Sequence, residues 1–191
     1  MNRILVTGAT GNVGRQVVSQ LLAMRTRVRA LSRDPAVAGL PHEVEVVRGD
    51  LTVPASLDGC LDGVDALFLV WTVPHDALPA AVDRIARNTR RIVFLSSPYW
   101  TPHPFFQASQ PNPVAALHAE IERLIEASGL QWTFLRPGMF AANALSWWAP
   151  QIRAGDVVRW PYAAALTAPI HERDIAAVAV RALLEAGHDG A

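Results

Sequence analysis

At 191 residues, 51% hydrophobic and 18% charged, the chain has the composition of one globular domain with a sizeable core, not of a disordered segment. Seventeen basic residues balance seventeen acidic ones, so charge gives no case for direct contact with nucleic acid or an anionic membrane. The single cysteine, Cys60, excludes an internal disulfide and any cysteine-rich metal site. All the basic residues are arginines, and the absence of lysine excludes a lysine base, a Schiff base and a P-loop.

In chain order the pattern is strand, helix, strand. Arg3 to Val6 is a short apolar run, and Val13, Val17, Val18, Leu21 and Met24 fall at helical spacing. Arg27 to Leu31 alternates, and Val44 to Val47 is β-rich. Ala66 to Trp71 is continuously apolar, as expected of a strand covered on both faces. Ala77 to Arg87 reads as a helix, Ile92 to Leu95 as a fifth strand and Trp132 to Leu135 as a sixth. Strands alternating with helices predict an α/β fold, a parallel sheet with helices on both faces. Between the fifth and sixth strands, Pro98 to Pro113 carries five prolines, too many for helix or inner strand, and reads as a lid or binding loop. Residues 139–165 are dense in aromatics (Phe140, Trp147, Trp148, Trp160, Tyr162), and a last helix is expected from about Asp174, as N-cap, to Glu185. No apolar run reaches the roughly 18 residues that span a bilayer, and Met1 and Asn2 lead straight into the first strand. No signal peptide, no membrane segment and a cytoplasmic location are therefore expected.

The stretch TGATGNVG joins the first strand to the first helix. A phosphate at a helix N-terminus meets unpaired N–H groups and the positive end of the helix dipole. The backbone must come close, so side chains must be absent there, as at Gly8, Gly11 and Gly14. With Thr10, Asn12 and Val13, these glycines form the expected phosphate-binding segment of a dinucleotide site. An NAD site usually carries Asp or Glu near the end of the second strand, about 20 residues on, for the ribose 2′-OH. Here Ser32 and Arg33 stand in that place and Asp34 comes one position late. A guanidinium suits a 2′-phosphate, so NADP(H) is preferred and NAD(H) is the alternative. Asp50 and Leu51 follow the third strand, where they either border the adenine or form a polar turn.

Together, TGATGNVG, RDP, GDL, the serine pair Ser96–Ser97 and SGLQWTFLRPG resemble the NmrA-like group of atypical short-chain dehydrogenases/reductases. The resemblance runs from residue 4 to about 180. It implies a Rossmann fold binding NAD(P)(H), with residues 1–136 as its core and 137–191 as a short, incomplete substrate-side region of the same domain. Relatives usually continue into a further strand and a helical cap. Some members reduce carbonyls, quinones or carbon–carbon double bonds; others sense cofactor redox state for a protein partner. The resemblance also puts Val70 along the cofactor and Pro137, after the sixth strand, beside the nicotinamide.

The Tyr-x-x-x-Lys couple of typical members needs a lysine and is absent; a sugar epimerase, which depends on it, is disfavoured. Tyr99 and His103 have the right spacing but lie in SPYWTPHP, whose prolines forbid the helix that would make them neighbours. His118 takes the place where relatives carry lysine, and it falls on the apolar stripe Val114, Leu117, Ile121, Leu124, Ile125. A polar group there needs a partner, either Glu122 one turn later or the cofactor ribose. His118 is thus a candidate proton carrier and cofactor contact, or a satisfied core histidine. Ser96 is a candidate for the cofactor site and for polarising a substrate carbonyl, or else a capping residue. No metal-ligand spacing occurs among the six histidines. The sequence therefore supports an NADP(H)-dependent oxidoreductase acting on a small apolar carbonyl, quinone or enone. The alternative is a non-catalytic dinucleotide sensor that binds a regulatory protein. If the chain lacks a seventh strand, the sixth becomes a bare apolar edge, and a homodimer or aggregation through that side is expected.

Overall fold

The computed structural model describes residues 2–98, 113–161 and 166–191. In chain order the elements are β1 (Arg3–Val6), α1 (Asn12–Ala23), β2 (Arg27–Ser32), β3 (Glu45–Arg48), α2 (Asp58–Leu61), β4 (Ala66–Leu69), α3 (Leu78–Asn88), β5 (Arg91–Leu95), α4 (Pro113–Ala127), β6 (Gln131–Leu135), β7 (Met139–Phe140), α5 (Asn143–Trp147), α6 (Ala149–Ala154), β8 (Pro169–Ile170) and α7 (Glu172–Leu184). Six strands form one parallel sheet in the order β3-β2-β1-β4-β5-β6, and β7 and β8 form a separate parallel pair. This is the doubly wound, Rossmann-type α/β arrangement. Its strand order reverses between β1 and β4, where such sheets open a crevice at the carboxyl ends.

The sheet buries both faces because its strands alternate between two apolar cores. On β1, Ile4 and Val6 pack into the core shared with α1 and α7, and Leu5 into the core shared with α2, α3 and α4. On β4, Phe68 faces the first core and Leu67 and Leu69 the second. That two-sided burial is why Ala66–Leu69 has no polar residue.

Three expectations change. The last helix starts at Glu172, not after Asp174, and its N-cap is His171, whose Nδ1 accepts from Arg173 N at 3.0 Å. An imidazole nitrogen serves as the capping acceptor there, which leaves Asp174 inside the first turn, where the dipole favours an acid. On α4, Ile121 and Ile125 are buried and Leu117 and Leu124 pack against the same core, as expected, but Val114 is 59% exposed and the charged Glu122 joins the buried face. The outer edge of β6 is not bare. Thr133 Oγ1 donates to His188 O, Gly190 N to Trp132 O and Phe134 N to Ala191 O, all within 2.9 Å. Tyr99, His103 and Tyr162 lie outside the described residues.

Candidate functional site

Between β1 and α1 the chain turns through Gly8 to Gly11, closed by Gly11 N donating to Gly8 O at 2.9 Å. Gly8 has φ +59°, and a Cβ there would come within 2.9 Å of Val70 Cβ, so only glycine fits. A Cβ on Gly14 would lie 2.1 Å from Gly8 O; this glycine lets α1 pack on its own loop. Gly11 is different. A Cβ there meets only Gly8 O, at 3.3 Å, and otherwise points into open space. Gly11 is also the N-cap of α1 and offers no capping side chain. The first N–H groups of a helix have no partner within it. The loop thus joins exposed donors to a cradle that a side chain would fill, which is the fit a pyrophosphate requires.

Beside this loop lies a cavity of about 410 Å³. Of the residues singled out in the sequence, Gly8, Thr10, Ser32, Arg33, Asp50, Leu51 and Val70 line it. Gly11 and Asn12 are exposed at the mouth of α1, whereas Val13 and Gly14 are buried, so Val13 can serve a ligand through its backbone N–H. Thr7, Arg15, Gly49, Thr72 and Val73 also line the cavity and were not anticipated. Thr7 Oγ1 accepts from Val70 N at 2.7 Å and fastens the ends of β1 and β4 around the crevice. Its signal was in the sequence, as the hydroxyl residue that ends β1. Gly49 is required by packing, since a Cβ would fall 2.4 Å from Leu31 Cδ1 and 2.9 Å from Cys60 Sγ.

The two carboxylates of the cavity are held by their own loops. Asp34 Oδ1 accepts from Ala36 N at 3.2 Å, capping the 3₁₀ turn Pro35–Val37. Asp50 Oδ1 accepts from Thr52 N at 2.9 Å and Thr52 Oγ1 at 2.8 Å. These bonds, with a lesser contribution from the Arg33 charge, hold the Asp50 carboxyl below its ordinary range. Arg33 itself is exposed on the cavity rim. Cys60 is buried, its thiol facing the carbonyls of Arg48 and Ser56 at 3.3 Å, and burial pushes its pKa up, away from reactivity.

Ser96, His118 and Pro137 do not line that cavity; they belong to the ends of β5 and β6 and to α4. Ser96 is 4% exposed and its hydroxyl donates to Glu122 Oε1 at 2.5 Å. Arg136 grips the same carboxylate from Nε at 2.9 Å and Nη2 at 2.6 Å. Glu122, 1% exposed, is therefore the partner of Ser96 and Arg136 and not of His118, for which it was one of two expected partners beside the cofactor ribose. The His118 ring stacks on Phe94, with centroids 5.6 Å apart, and its Nδ1 lies 2.8 Å from Val114 O. A carbonyl can only accept, so Nδ1 carries the hydrogen and Nε2 keeps its lone pair.

The doubly wound sheet, the glycine turn at its switch point and the crevice beside it define a dinucleotide-binding protein of the Rossmann class. The chain belongs to the NAD(P)H-binding family, whose model matches residues 8–186. It is 43% identical over 196 residues to (4-alkanoyl-5-oxo-2,5-dihydrofuran-3-yl)methyl phosphate reductase of Streptomyces griseus, covering 98% of this chain and 65% of that protein. It is 34% identical to the NAD(P)H azoreductase of Xenophilus azovorans, covering 97% and 65% respectively. Among solved structures it superposes on an NADPH-dependent quinone oxidoreductase of Escherichia coli with TM-score 0.81 at 28% identity, covering 98% of this chain and 66% of that one. The same oxidoreductase complexed with NADPH gives 0.77 at 25% identity, with the same coverage. The chain thus spans 65% of the length of the first two of these relatives. Among the described residues, no helix is long and apolar enough to cross a membrane.

Proposed function

We propose that the protein is an NADP(H)-dependent oxidoreductase of the NmrA-like, atypical short-chain type, acting on a small apolar carbonyl, quinone or enone. The observation that carries the cofactor assignment is the rim formed by Ser32 and Arg33, with Asp34 turned into the cap of the following 3₁₀ turn. Asp34 lines the cavity too, with Oδ1 engaged by Ala36 N, and an arginine beside it at the rim suits a phosphate. The reductase names of the relatives support the reaction class.

When bound, the reduced nicotinamide supplies the hydride. The chain's own residues bind and orient. Backbone N–H groups of Asn12 and Val13 receive the pyrophosphate, Ser32 and Arg33 the 2′-phosphate, and Asp50 and Leu51 border the adenine side. Val70 lies along the crevice, and Pro137 ends the strand on the nicotinamide side. His118 Nε2 is the atom that takes up or releases a proton. Ser96, with its hydrogen donated to Glu122, contributes an acceptor lone pair and not a donor.

The second reading is a dinucleotide sensor for a protein partner. The absence of lysine and the engagement of Ser96 by Glu122 favour it. Loss of reduced-nicotinamide absorbance with a panel of quinones, enones and aldehydes separates the two. Turnover with any of them supports the enzyme; tight NADPH binding with no turnover supports the sensor. A homodimer through the exposed apolar residues Leu145, Ile152 and Val157, not through β6, is compatible with both readings.

A further inference from the structure

The cavity holds a second arginine that the sequence pattern does not single out. Arg15 stands one turn into α1, four residues past Gly11. Its Nε donates to Thr10 O at 2.7 Å, so the guanidinium is drawn back over the glycine loop and into the lining of the cavity that Ser32 and Arg33 also line. Among the described residues, neither Arg15 nor Arg33 forms a salt bridge. The Nη atoms of Arg15 have no hydrogen-bond partner there. The two acids of the same cavity are engaged by Ala36 and by Thr52. One small cavity thus presents two guanidinium groups that form no salt bridge among the described residues, one from β2's end and one from α1.

We infer that Arg15 is the second cation of the 2′-phosphate subsite, closing on that group from the α1 side while Arg33 closes from the β2 side. The inference rests on the NADP(H) reading above. The pyrophosphate already has the N–H groups at the start of α1. A further dianion lying against Ser32 needs its own neutralisation, and two planar forks can bind its oxygens together. NADH lacks that dianion, so it gains nothing from either guanidinium. Because Arg15 also holds Thr10 O, its bond to the phosphate is built on the loop that positions the rest of the dinucleotide, and the two arginines act jointly.

Calorimetric titration of wild type, Arg15→Ala, Arg15→Lys, Arg33→Ala and the double variant tests this, with NADPH, NADH, adenosine 2′,5′-bisphosphate and 5′-ADP as probes. Arg15→Ala is expected to weaken NADPH and the bisphosphate about tenfold or more. NADH and 5′-ADP should change by less than about twofold, because they lack the group the arginine binds. Arg15→Lys should recover part of the loss, and the double variant should lose less than the sum of the two single ones. Equal weakening of NADPH and NADH would overturn the assignment in favour of a pyrophosphate contact or a purely structural loop strap. Unchanged NADPH affinity in Arg15→Ala, with wild type preferring NADPH, would overturn it while leaving the cofactor reading intact. Wild type that binds neither dinucleotide would overturn both.

Discussion

Arg33 and Asp34 are adjacent residues with opposite charges that both line the cavity, and the Asp34 carboxylate is also engaged as a cap. Asp34 begins the turn of Pro35–Val37, where proline presets φ and the aspartate carboxylate takes the free Ala36 N–H. Arg33→Ala is therefore expected to cost NADPH about 1.5–3 kcal/mol of binding, the scale of a hydrogen bond to a charged group, and NADH very little. Gly11→Val tests the loop. Because a Cβ at Gly11 meets only Gly8 O at 3.3 Å, the variant should fold, with a melting temperature near wild type, and fail to bind either dinucleotide. Normal NADPH binding by that variant would show that the phosphate does not lie there. That Gly8, Ser32, Arg33 and Asp50 meet at one cavity was legible in the sequence, because backbone approach and charge restrict those positions to few residue types. That Arg15 joins them was not, because its place depends on how far a long side chain folds back, which spacing does not encode.

At the scale of elements, strand and helix periodicity located β1, α1, β2, β5 and β6 within a residue or two of their bounds, since each buries a continuous apolar face. The start of α7 was misplaced because His171 is an uncommon cap and the acid three residues later is a common one. On α4 the buried face includes a charged residue, Glu122, which a search for apolar periodicity passes over. Its burial depends on Arg136 and Ser96. Arg136→Ala leaves that carboxylate 1% exposed without its cation, and a loss of about 3 kcal/mol in urea denaturation is expected. His118→Gln separates two roles on the same helix. A proton carrier predicts lower turnover with an unchanged melting temperature; a purely structural histidine predicts the reverse.

Across the whole molecule, one ionic feature ties stability to pH. Glu45 accepts from the buried Arg29 at 2.9 Å, and that bond holds its carboxyl below the ordinary value. A carboxyl lowered by folding stabilises fully above its unfolded pKa and loses that contribution as pH falls through the folded value. Wild type should therefore exceed Glu45→Gln in stability at neutral pH, and the difference should close as pH falls through the lowered Glu45 value. The other whole-molecule feature is the apolar surface of the substrate-side segment. Leu145 is 71% exposed, Ile152 62% and Val157 61%, beside a stack of Trp147 on Trp160 at 4.9 Å. A surface of this kind favours association. Sedimentation at low micromolar concentration should show self-association, weakened by Trp147→Ser with Leu145→Ser; a monodisperse wild-type monomer would contradict it. The expectation of a bare β6 edge failed because residues 188–191 return along that strand, a contact no local pattern announces.

In the proposed function, the crevice at the β1–β4 switch point holds a dinucleotide and its rim selects the 2′-phosphate. Parallel titration of the wild-type chain with NADPH and NADH tests it most directly. Saturable binding of both is expected, at one site per chain, with NADPH tighter by about tenfold or more. Equal affinity for the two, or tighter NADH, would contradict it.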